Sequence, residues 1–124
     1  MKDFNWVEAR SQCNVFQVFR ELQSSIEEEV GIRHQQTEGK NVGFRFQQYG
    51  EKKFAVYRNS LEKSMMVEFR CDAAGIYAKG DNSLDLKATL SLNDEGECRL
   101  KVGTEELMQW QFRRRALEDL FFGF

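Results

Sequence analysis

From Ser83 to Leu92 the chain alternates apolar and polar side chains without a slip. Leu84, Leu86, Ala88, Leu90 and Leu92 are interleaved with Ser83, Asp85, Lys87, Thr89 and Ser91. A period of two sends the two sets to opposite faces of a strand, which predicts a strand with one dry and one wet face. Burial on one side implies antiparallel neighbours. At about 3.4 Å per residue this strand would run roughly 33 Å. The same alternation recurs in Val42, Phe44 and Phe46, in Phe54 and Val56 within 53–58, and in Met65, Val67, Phe69 and Cys71. Ile76 to Lys79 reads as a short strand, and Cys98, Leu100 and Val102 as another. Links containing Gly50, Gly75, Gly80 and Gly96 separate them. Short links between alternating runs predict about six strands in meander order.

Residues 5–30 carry a different period. Val15, Phe19, Leu22, Ile26 and Val30 recur at three and four, as on one face of a helix. Asn5 and Glu8 have capping-box spacing, a break is possible between Ser11 and Asn14, and Gly31 suits the position after a helix end. Ile32 to Asn41 reads as a loop. A last helix is expected from a Thr104 cap to about Phe122, roughly 28 Å at 1.5 Å per residue. The resulting fold is α+β: an N-terminal helix, an antiparallel sheet, and a C-terminal helix packed across the dry face.

That last helix has too much apolar surface for one sheet. Leu107, Trp110, Leu117 and Phe121 form a stripe, with Leu120 and Phe124 beside it, and are assigned to the sheet. Met108, Phe112 and Ala116 form a second stripe on a nearly opposite side. Either the N-terminal helix covers it or a partner does. Phe122 lies off the first stripe and Phe124 follows a glycine, so this segment docks at the core edge or serves as a hydrophobic handle. Met108, Phe112, Ala116, Phe122 and Phe124 are therefore the candidate protein interface.

The chain is 124 residues long, which suits one domain, and carries a formal charge of −2. The wet face of the sheet nevertheless gathers Arg45, Lys53, Arg70, Lys79, Lys87, Arg99 and Lys101 with Tyr57 and Tyr77, partly opposed by Glu68, Asp85 and Glu97. Cations beside aromatic rings on a sheet are what single-stranded nucleic acid uses. The acidic balance makes that the alternative rather than the leading expectation.

Catalytic chemistry finds little footing. His34 stands in a polar stretch without a partner at ligand spacing, and reads as a solvated loop residue. Asn93 to Glu97 is acidic with a glycine but lacks the alternating acids of a calcium loop, so a hairpin turn is expected. Cys13, Cys71 and Cys98 are too few and scattered for a disulfide framework or zinc site. Cys71 and Cys98 are expected as buried thiols. Met1 to Arg10 has no apolar core of a signal peptide, and no run is long enough for a membrane span. The expectation is a cytoplasmic, non-enzymatic interaction module, adaptor-like or chaperone-like, without cofactor or metal. It would pair with itself as a homodimer or with another protein. A ligand pocket between helix and sheet is a third possibility without named residues.

Overall fold

Two asparagines divide the N-terminal helical stretch. The computed structural model describes residues 3–124, so Met1 and Lys2 of the segment searched for a leader lie outside it. Helix α1 spans Trp6–Gln12 and α2 spans Val15–Gln36. Asn5 Oδ1 accepts from the Glu8 amide, and Asn14 Oδ1 accepts from the Gln17 amide at 2.9 Å. Each satisfies a donor that a helix start leaves free, and the break falls where the polar cluster predicts it. The other end differs from expectation. Helix α2 continues through Gly31 for another five residues, because its final turns gain tertiary bonds. Arg33 Nε donates to the Phe121 carbonyl, and His34 Nδ1 accepts the Phe44 amide at 3.0 Å. The Thr37 hydroxyl then donates to the carbonyls of Arg33 and His34 and closes the helix. His34 is thus a helical residue anchoring an edge strand, not a loop histidine.

Seven strands follow in sequence order as one antiparallel meander: β1 Val42–Gln48, β2 Lys53–Ser60, β3 Met65–Asp72, β4 Gly75–Gly80, β5 Asp85–Leu92, β6 Cys98–Val102 and β7 Glu105–Leu107. The additional strand is β7, which occupies residues expected to begin the last helix. Gly103 takes a φ of +61° and turns the chain back, so that Leu107 pairs with Leu100 and Glu106 with Lys101. Helix α3 therefore starts only at Gln109 and runs to Phe122. Its fourteen residues measure about 21 Å.

The register places Phe46, Val56 and Val67 in one row of the dry face and Phe54, Phe69 and Ala78 in the next. Phe54 is the aromatic centre of the core. Its ring lies 4.9 Å from Phe69, 5.1 Å from Phe19 of α2 and 5.3 Å from Phe46. Both α2 and α3 pack on this face, and α3 reaches β2, β3, β6 and β7. Strand β5, the cleanest alternation in the sequence, lies away from this centre. Its Ala88 is fully buried, but its Leu86 and Leu90, and Leu84 just before it, are only partly covered.

Two expectations about side chains are overturned. Phe112 and Ala116 belong to the sheet-facing side of α3, at 0% and 3% exposure, while Trp110 is turned outward. The late helix start explains this: Leu107 lies on a strand and Met108 is the cap, so neither helps define the helical face. Cys98 is not a free thiol either. It is disulfide-bonded to Cys13 across 85 residues of sequence, with the two Cα atoms 5.5 Å apart. Phe4 lies against Gly96 in the β5–β6 turn, so α1 is fastened to that hairpin twice. Cys71 is buried and free, and burial pushes its thiol pKa up. Closing so long a loop stabilises a fold by about 2–4 kcal/mol. Cys13→Ser is expected to lower stability by that amount, and reductant should do the same to the native protein alone. Urea unfolding with and without dithiothreitol measures both.

Candidate functional site

A helix leaves its last four carbonyls without internal donors, and in α3 two arginines from other elements supply donors to three of them. Arg58 follows Phe54 and Val56 on the dry side of β2 and is 1% exposed. Its Nη1 donates to the carbonyls of Asp119 at 3.0 Å and Leu120 at 2.9 Å. Arg33 donates through Nε to the Phe121 carbonyl at 2.9 Å. The Gly123 amide adds a second, 2.7 Å bond to the Asp119 carbonyl. A buried guanidinium is costly unless bonded, but the negative end of a helix dipole favours a cation. Arg58 Nε has no partner among the described residues, and the Phe124 ring, 5.1 Å from Cζ, presents its π face.

This double cap also organises the aromatic segment. Arg33 Cζ lies 4.2 Å from the centre of Phe122 and 5.7 Å from those of Phe44 and Phe124. Phe121 is buried edge-on against Phe44, at 5.4 Å between ring centres. Phe122 and Phe124 touch the arginines yet remain 61% and 59% exposed. The segment is both docked and displayed. Asp119 is held from its side chain too, accepting from Asn82 Nδ2 at 2.8 Å.

Helix α3 lies beside α2 through Gln109 to Glu21 and Arg113 to Glu29, at 3.0 and 2.8 Å. Its remaining side carries Trp110, Arg114, Glu118 and Phe122, all exposed. Between that row and α2 runs an open groove of about 260 Å³, floored by Leu117 and Phe121 and closed at its ends by Trp110 and Phe122. Of the interface expected from the sequence, Met108, Phe122 and Phe124 are exposed, whereas Phe112 and Ala116 lie in the core. Trp110, expected against the sheet, is 50% exposed. The i, i+4 spacing from Trp110 to Phe122 was available as a signal once the helix start was known.

Protein-family models, curated proteins and solved structures were compared with this chain, and none matches.

The wet face of the sheet gathers the basic and tyrosine residues as the alternation predicts. Its rings, however, already have cations of their own. Arg45 lies 4.4 Å from the centre of Tyr57, its cross-strand neighbour, and Arg70 lies 4.3 Å from that of Tyr77, with Lys87 at 5.8 Å. Lys53 pairs with Glu68 at 3.7 Å and Arg99 with Glu97 at 2.8 Å. Lys79 sits between Glu68 and Asp85, and Lys101 opposite Glu106. Apart from Arg99 and Glu97, which are two residues apart on one segment, these are the cross-strand pairs that stabilise an exposed sheet face. Asp72 closes the β3–β4 turn, accepting from the Ala74 amide at 2.8 Å and from the Tyr77 hydroxyl. Those bonds, that of Ala74 first, hold its carboxyl below the usual range.

A second groove, about 550 Å³, lies between Phe16, Arg20 and Gln23 of α2 and Gln48, Glu51 and Lys52 near the first hairpin. It mixes both signs of charge and brings no nucleophile to a base. No group of three metal-ligating side chains converges among the described residues. Among the described residues no helix is long and apolar enough to cross a membrane. Asn93 Oδ1 accepts the amides of Glu95 and Glu97, so the acidic stretch folds as a hairpin turn.

Removing the buried cap strips the Leu120 carbonyl of its donor, while that of Asp119 keeps the Gly123 amide. Arg58→Ala is expected to destabilise the protein by about 1–3 kcal/mol, the cost of a buried polar group left unpaired. Urea-induced unfolding followed by far-ultraviolet circular dichroism measures the loss.

Proposed function

We propose that the protein is a non-enzymatic interaction module that binds another protein, or a second copy of itself, through the outer face of α3 and the aromatic segment after it. One observation carries this reading: Trp110, Phe122 and Phe124 are large and exposed, Trp110 and Phe122 flank a groove floored by Leu117 and Phe121, and Arg33 seats the rings of Phe122 and Phe124. Aromatic side chains and arginine are enriched at protein interfaces, and rings already ordered lose little freedom on binding. Met108, at the start of the helix, extends the surface with a flexible apolar side chain. No cofactor or metal enters this reading.

The compartment bears on the disulfide. A reducing cytoplasm, the setting expected from the sequence, would hold Cys13 and Cys98 as thiols, and an oxidising compartment would hold them bonded. Alkylation inside intact host cells distinguishes the two.

The surface is tested by placing a photo-cross-linking amino acid at Met108, with Lys79 on the sheet face as the comparison. Protein adducts from position 108 and few from 79 are the expected result. Adducts confined to position 79 and abolished by nuclease would move the function to the basic sheet face. No adduct from either position would remove the interaction reading.

A further inference from the structure

The outer row of α3 has an internal symmetry that names its occupant. Trp110, Arg114, Glu118 and Phe122 follow one another at intervals of four, so they form a single ridge: aromatic, cation, anion, aromatic. Reversed end for end about Ala116, the ridge is complementary to itself. Trp110 then meets Phe122, and Arg114 meets Glu118. Building on the interaction reading above, we propose that this row docks on a second copy of the same chain, the two α3 helices antiparallel about a two-fold axis.

Three further observations fit this occupant. Ridges spaced by four interdigitate in the commonest class of helix packing, with axes crossing at about 50°. The groove beside the ridge, floored by Leu117 and Phe121, is where the partner's ridge would lie. A two-fold contact fills both grooves at once, as an isologous interface requires. Finally, Arg114 and Glu118 pair within the helix at 3.3 Å, but in the order that the helix dipole disfavours. Their placement gives the isolated helix little, whereas across the two-fold each finds an opposite charge. The ridge spans only about 18 Å, so the dimer belongs with small, reversible interfaces.

Charge exchange tests this. The Arg114 and Glu118 side chains are 64% and 56% exposed and pair with each other, so Arg114→Glu and Glu118→Arg should both fold normally. Sedimentation velocity over a concentration series is expected to show the native protein dimerising and dissociating on dilution. Each single variant places like charges opposite one another and should weaken self-association about tenfold or more. An equal mixture of the two single variants should recover native affinity, because every cross-pair then joins opposite charges. The double variant should recover it as well. A native protein that stays monomeric, or dimers indifferent to both exchanges, would overturn the proposal. If such a monomer still forms adducts with a different protein from position 108, the surface stands and only the second-copy occupant falls. A monomer without adducts removes both.

Discussion

A buried arginine at the end of a helix is the constraint around which this fold closes. Arg58 enters from the middle of the dry face, where β2 would otherwise offer a third apolar residue after Phe54 and Val56. Its charge is tolerable there because α3 ends directly above it with free carbonyls and a negative dipole end. The converse also holds: the end of α3 can be buried only because the sheet sends up a donor. Arg33 repeats the arrangement from α2. Both arginines thus join the aromatic segment to sheet and helix at once.

The outward side of α3 follows from what its other sides must do. One side carries Phe112 and Ala116 onto the sheet, and a second carries Arg113 and Phe121 toward α2. What remains is the row from Trp110 to Phe122, flanked by a groove that none of the described residues fills. A frayed helix end would scatter these rings. The arginine cap instead gives Phe122 a fixed seat 4.2 Å from a guanidinium, which is the kind of preorganisation that lowers the entropic cost of association.

Much of the sheet could be read from the chain because its signal is strictly local. A period of two assigns each residue a face, and Arg45, Lys53, Tyr57, Arg70, Tyr77 and Lys87 all lie on the predicted one. The fate of that face was not legible, since a cation over a neighbour's ring and a cation awaiting phosphate have the same spacing. The helical face of α3 was misread for a definite reason. Glu105 and Glu106 after a threonine look like an acidic first turn, but pairing with β6 captured them as a strand. The disulfide had no local signal at all, because Cys13 and Cys98 meet only once α1 folds back on the second-to-last hairpin. Arg58 could have been found. The alternation placed it with Phe54 and Val56, and only the general preference of arginine for the surface argued otherwise.

The arginine cap holds the end of α3, and with it the displayed Phe122 and Phe124. Amide hydrogen exchange across α3 in the native protein and in Arg33→Ala tests this. In the native protein the amides near Leu120 to Gly123 should exchange as slowly as those of the core strands. In the variant those amides should exchange faster while β2 and β3 remain protected. A last turn that exchanges freely in the native protein, or one unaffected by loss of Arg33, would contradict it.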